Sequence, residues 1–209
     1  MLIKLNKNNM GNKILIVVDY QYDFINPNGT LYVNGAEQLQ DKIATIIPNF
    51  DYVIFTKDSH PIKHCSFVEN GGQWPAHCVY NTIGNGIPLE FMKLAKQYTF
   101  IDKGMDENKE EYSAFENKSD LLLLLDYEDY YFNWAFEDLV DEQKLLQSID
   151  EIVVCGVAGD YCVLETLKDI VSHIGTDKVS VYLDGVASID GGDKLNTFIK
   201  ENNIKTYLV

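Results

Sequence analysis

Residues 14–18 read Ile-Leu-Ile-Val-Val and run straight into Asp19. Five apolar residues without polar alternation describe a strand covered on both faces, because a half-exposed strand alternates. Further strands are read at 52–56, 98–101, 152–156, 179–183 and 205–209, with helices at 36–47, 89–97, 162–173 and 193–201. The first helix places Ala36, Leu39, Ile43, Ile46 and Ile47 on one stripe and meets Pro48. Six strands alternating with helices predict an α/β fold. The expected form is a mostly parallel six-stranded sheet with helices on both faces, a Rossmann-like three-layer arrangement. Chemistry in such sheets gathers at the carboxyl ends of the strands, near the reversal of strand order.

At 209 residues the chain is read as a single domain, 1–209, with a loop-rich stretch at 58–88. Lys and Arg number 17 against 32 Asp and Glu, a net charge of −15. That balance argues against nucleic acid and against an anionic membrane surface, both of which call for a basic face. No apolar stretch approaches the roughly 20 residues that span a bilayer, and residues 1–13 lack a signal-peptide apolar region. The four cysteines show no CxxC spacing, so each is read as a core, ligand or nucleophilic thiol of a cytoplasmic enzyme.

Residues 119–148 fit the alternation less well. Five leucines at 121–125 precede an acidic, aromatic stretch, and the segment 126–137 is unusual as a whole. It is read either as a buried helix with an aromatic packing hairpin, or as a lid or homo-oligomer contact, since Tyr and Trp favour interfaces.

The strand ends carry the candidate chemistry. Asp19 lies at the mouth of the sheet, where a carboxylate is either a loop cap or a general base; Asp23, further out, reads as a capping or solvated residue. Cys155 lies inside an apolar run and reads as a small buried hydrophobe. Cys162 follows a glycine-containing turn and opens a helix, where unpaired N–H groups and the dipole can lower a thiol pKa and bind an oxyanion. Lys103, near the end of the third strand, is either a solvated charge or a partner of Cys162 and Asp19. Three of the four histidines, His60, His64 and His77, share the 58–88 stretch with Asp58. Carboxylate and imidazole suit Zn, Fe or Mn with positions left open; the alternative is scattered surface histidines. Cys78 is set aside as a ligand because neighbours rarely both point inward, and His173 reads as a helix-end residue.

Taken together, VDYQYDF (18–24), TKDSHP (56–61), HCSF (64–67), WPAHC (74–78), KG (103–104) with YSAF (112–115), and GVAGDYCV (156–163) resemble the nicotinamidase/pyrazinamidase branch of the isochorismatase-like hydrolase superfamily. The motifs occur in family order from about residue 13 to 209. The resemblance implies the isochorismatase-like hydrolase fold and a catalytic triad of Asp19, Lys103 and Cys162. It implies one divalent metal, Zn foremost with Fe or Mn as alternatives, on Asp58, His60 and His77. His64 matches a ligand found only in some members. Phe24, Trp74 and Tyr161 match the lining of the substrate ring pocket. Val157–Ala158 matches a cis peptide that turns the amides of Ala158 and Cys162 toward an oxyanion. Three departures stand out: Gly159 where Thr is common, expected to loosen the turn; an acidic insertion-like loop at 105–111; and a long 126–134 segment.

The implied activity is hydrolysis of nicotinamide to nicotinate and ammonia through a Cys thioester, in NAD salvage, an expectation that extends to pyrazinamide. Asp19 takes the thiol proton, Lys103 favours the thiolate, and the metal orients the ring. The competing readings are another amidase of the superfamily, acting on a carbamoyl or acyclic amide, and a non-catalytic metal-binding or interaction protein on the same fold.

Overall fold

The computed structural model describes residues 12–117, 121 and 146–209. Residues 122–137, which include most of the leucine run and the acidic, aromatic segment, lie outside the described residues. Six strands form one sheet: β1 (Asn12–Val18), β2 (Tyr52–Asp58), β3 (Tyr98–Lys103), β4 (Ile149–Gly156), β5 (Val179–Val186) and β6 (Lys205–Thr206). Their order is β3-β2-β1-β4-β5-β6, and every neighbouring pair is parallel. The chain runs outward from β1 to β3, then returns to lay β4 on the other side of β1. The gap between the ends of β1 and β4 is therefore the switch in strand order, and a site is expected there.

The alternation of β1 divides the core in two. Ile14, Ile16 and Val18 pack on one face with Val163, Leu167 and Ile170 of α4 (Cys162–Ile174) and Leu195 of α5 (Asp193–Glu201). Leu15 and Val17 pack on the other with α1 (Tyr22–Ile25), Ile43 and Ile46 of α2 (Gln40–Ile46), and Phe91 of α3 (Leu89–Leu94). Helices thus cover both faces, as the unbroken apolar run requires. Each such side chain removed from water contributes about 1.5–3 kcal/mol.

The elements differ from the sequence reading in detail. The helix expected at 36–47 is broken into a 3₁₀ turn at Ala36–Leu39, α2, and a second 3₁₀ turn at Ile47–Asn49. Gly35, left-handed at φ 83°, starts it abruptly, and Pro48 tightens its end. The helix expected at 89–97 stops at Leu94, because Ala95 is extended and leads into β3. The last strand pairs over Lys205–Thr206 alone, at the sheet edge. Leu121 is buried in the α4 side of the core.

Candidate active site

Four strand ends converge on one buried cluster. Asp19 follows β1 with a positive φ of 46°, a kink that turns its side chain across the mouth of the sheet. Its backbone N–H lies 3.2 Å from Thr56 Oγ1, and that hydroxyl donates to Asp19 Oδ1 at 2.7 Å. Lys103 ends β3 with its ammonium 2.9 Å from Asp19 Oδ2 and 3.6 Å from Cys162 Sγ. The same ammonium donates to Asp58 Oδ1, at the end of β2, and to the Glu111 carbonyl at 3.0 Å. The structure thus brings Asp19, Lys103 and Cys162 together, and adds Asp58 to them.

Lys103 pulls the Cys162 thiol toward its charged form, but it is not alone there. Burial pushes the Cys162 thiol up, and although Lys103 opposes this, Asp19 and Asp58 reinforce it, leaving the thiol well above its ordinary value. Burial likewise raises the Asp19 carboxyl, with Lys103 and the Thr56 hydroxyl holding it back only in part. Burial also acts on Asp58, but Lys103, His60 and His77 outweigh it and hold that carboxyl well below the usual range. Burial works against the Lys103 ammonium, yet Asp19 and Asp58 hold its pKa well above the ordinary value.

Cys162 opens α4 after a turn built on close backbone approaches. Gly156 has φ 122°, and a Cβ there would strike the backbone of Val18. Val157–Ala158 is a cis peptide. Tyr161 and Val163 N–H both donate to the Ala158 carbonyl at 3.1 Å, and Gly159 N–H to Ala187 at 2.8 Å. Among the described residues the N–H groups of Ala158 and Cys162 have no protein acceptor. Gly159 does not loosen the turn: its amide is bonded, and the volume of its missing side chain is filled by Ser188 Oγ and Val186. Cys155 is fully buried within β4, its thiol pushed up by burial alone.

Beside this cluster, Asp58, His60 and His77 bring ligand atoms within 4.8 Å of one another. His60 Nδ1 donates to the Gly104 carbonyl at 2.9 Å and His77 Nδ1 to the Pro75 carbonyl at 2.8 Å. Each bond turns Nε2 inward, and both Nε2 atoms face Asp58 Oδ2, at 3.7 and 3.8 Å. His60 Nε2 is buried without a hydrogen-bond partner. Two outward-anchored imidazoles converging on a carboxylate oxygen, one with an unpartnered Nε2, fit a divalent transition metal. His64 differs. Its Nδ1 is bonded to Ser66 Oγ at 2.7 Å and its Nε2 to the Lys109 carbonyl at 2.9 Å, and its ring stacks on His60 at 4.0 Å between centroids.

Several supporting residues escaped the sequence reading. Gln21 exchanges two bonds of 2.8 Å with the backbone of Asp58, and Asn85 donates to the same carbonyl at 2.5 Å. Gln21 lies inside the VDYQYDF motif, so its position was the available signal. Asp23, read as a capping residue, accepts from Cys78 N–H at 2.7 Å and so fixes the loop after His77. Cys78 is buried with its thiol near the Gly84 carbonyl, and His173 donates to the Phe115 carbonyl at 2.8 Å.

A pocket opens onto both clusters. Phe24, Trp74 and Tyr161 line it with Asp58, His77 and Cys162. Trp74 and Tyr161 meet edge to face at 5.2 Å, and Phe24 lies 5.4 Å from the His77 ring. The aromatic walls suit a planar ring.

Fold and site define a doubly wound α/β protein with a thiol, carboxylate and ammonium at its switch point and a metal-ligand set alongside. The chain belongs to the isochorismatase family, whose domain model matches residues 13–202. It is 30% identical to the nicotinamidase of Saccharomyces cerevisiae, over 90% of this chain and 94% of that protein. The pyrazinamidase of Pyrococcus horikoshii, solved in complex with zinc, superposes with TM-score 0.74 at 30% identity, covering 95% of this chain and 99% of that one. PnC1 of L. infantum, solved with nicotinate, gives 0.75 at 27% identity, covering 99% and 96%. Among the described residues no helix is long and apolar enough to cross a membrane.

Proposed function

We propose that the chain hydrolyses nicotinamide to nicotinate and ammonia. The observation that carries this reading is one aromatic-walled pocket open to both Cys162 and the Asp58–His77 pair. The relatives named nicotinamidase support the same substrate, and the family match over residues 13–202 supports a single hydrolase domain. Formation of nicotinate is a step of NAD salvage, and four free thiols suit a reducing compartment such as the cytoplasm.

Asp19, with its raised carboxyl, takes the proton of the neutral Cys162 thiol as sulfur bonds to the carboxamide carbon. The carbonyl π electrons move to oxygen, and the free N–H groups of Ala158 and Cys162 receive that oxyanion. Protonated Asp19 gives its proton to the leaving nitrogen, and the C–N bond breaks to release ammonia and a thioester. Water then attacks the thioester while Asp19 accepts its proton. The C–S bond breaks, the thiol is re-formed from Asp19, and the carboxylic acid ionises to nicotinate. Lys103 keeps Asp19 oriented and offsets the charge of the two neighbouring carboxylates. Asp58, His60 and His77 would hold the metal, for which zinc is the first choice and Fe or Mn suit the same donors. When bound, it supplies a Lewis acid for a pyridine nitrogen, a contact that orients the ring. Phe24, Trp74 and Tyr161 clasp the ring faces.

Ammonia release from nicotinamide by the purified chain, with and without a chelator, tests the reading. Turnover that falls on chelation and returns with zinc is expected; no release from nicotinamide by the zinc-loaded chain overturns it.

A further inference from the structure

Lys103 carries three N–H donors, and three oxygens stand around it. Two are the carboxylates already described; the third is the backbone carbonyl of Glu111 at 3.0 Å. The side chain of the same Glu111 returns to the neighbouring residue: its Oε2 accepts the Gly104 N–H at 2.8 Å. Its other oxygen pairs with Lys109 at 2.8 Å. Glu111 therefore clasps Lys103 and Gly104 from both sides, by its backbone on one and its carboxylate on the other.

Gly104 is the link to the second cluster. Its carbonyl accepts from His60 Nδ1 at 2.9 Å, the bond that aims His60 Nε2 at Asp58. Its φ is +66°, and a Cβ there would press on the His60 ring, so only glycine lets the backbone come this close. The loop that bears Glu111 is tied to the histidine stretch at two more points, Cys65 N–H to Glu107 at 2.7 Å and His64 Nε2 to Lys109 at 2.9 Å. Burial pushes the Glu111 carboxyl up, but Lys109 and the Gly104 N–H bring it below its ordinary value, so it stands as an acceptor.

We propose that Glu111 is a positioning residue that sets the Lys103 ammonium and the His60 imidazole at once, through the Gly104 peptide. The acidic loop at 105–111 then serves as the strut between the two clusters. The kinetic part rests on the nicotinamide reading above; the metal part does not.

The experiment compares Glu111→Ala, Glu111→Gln and Lys109→Ala with the parent chain. Zinc affinity is read by competition with a chromophoric chelator, and kcat and KM on nicotinamide are read at saturating zinc. Loss of an outer partner of a metal-bound histidine typically costs 10- to 100-fold. Glu111→Ala is expected to weaken zinc binding about tenfold and to lower kcat about tenfold even when zinc is saturating. Glu111→Gln keeps an oxygen for the Gly104 N–H and is expected to restore both to within about threefold. Lys109→Ala, which removes the ion pairs to Glu111 and Glu116 but leaves the Glu111 carboxylate on the Gly104 N–H, is expected to leave both near the parent value. Parent-like zinc affinity or parent-like kcat in Glu111→Ala overturns the proposal, as does a Gln variant as poor as Ala. Should Glu111→Ala not fold, Glu111→Met, which retains the stem and lacks the acceptor, takes its place under the same criteria. A parent chain that binds zinc but releases no ammonia would defeat the nicotinamide reading, while the zinc comparison would still decide the role of Glu111.

Discussion

Lys103 and Asp58 form a buried ion pair in which the carboxylate is shared: Oδ1 accepts the ammonium, while Oδ2 faces His60 and His77. One side chain is thus common to the thiol cluster and to the metal-ligand set. Lys103 is also 2.9 Å from Asp19, so a single cation holds two carboxylates inside the protein.

Lys103→Met is expected to destabilise the chain as well as silence it. It leaves two buried carboxylates without a counter-charge, and breaking a buried pair this way costs about 3–5 kcal/mol. Urea unfolding should show the loss, and Asp19→Asn in the same chain should recover part of it. A midpoint unchanged by Lys103→Met would show that the pair carries no such weight.

The two cysteines flanking the turn should behave differently. Cys162→Ala is expected to lower nicotinamide turnover about a thousandfold or more, as losses at a nucleophile do. Cys155→Ala, in the core of β4, should cost about 1 kcal/mol of stability and keep most activity. Equal loss in two folded variants would count against Cys162 as the nucleophile.

Thr56→Val tests the state of Asp19. The Thr56 hydroxyl bonds to Asp19 Oδ1 and opposes the upward push of burial. Asp19 must be ionised to take the thiol proton, so activity is lost as pH falls through its raised pKa. Without the hydroxyl that pKa rises further, and the acid limb of kcat/KM should move to higher pH, a several-fold loss on that limb. A limb that stays in place, or moves the other way, would remove Asp19 from the role of base.

His77→Ala separates holding the ring from doing the chemistry. The parent chain should prefer nicotinamide to benzamide, which has no ring nitrogen. The variant should narrow that gap by about tenfold or more, mainly through KM on nicotinamide. Equal slowing of both substrates with KM unchanged would assign the metal to the chemical step instead.

Much of this molecule was readable in the chain. The apolar run before Asp19 specified a two-sided sheet, because no half-exposed strand would carry it, and the order of strand and helix patterns specified parallel pairing. Asp19 and Lys103 at strand ends, and Cys162 opening the helix after one, could be picked out because a parallel sheet delivers strand ends to one edge. Groups acting through long loops were not legible. Gln21 and Asn85 meet Asp58 from 37 and 27 residues away; Gln21 lies within a motif, but nothing in the chain says that it reaches Asp58. The balance of charge around Cys162 was out of reach for a related reason. A sequence shows which cation is available, but not how many carboxylates share it.

Ser188 occupies the space that a side chain at Gly159 would need. The two positions are therefore coupled through that shared space. Thr at 159 would enter this chain as a clash with Ser188 and Val186. Ser188→Gly alone would open a void, and Gly159→Thr alone would strain the turn. The pair should be tolerated far better than either change predicts. A route from one state to the other passes more readily through the void than through the clash, so the order in which the two changes arise is not free.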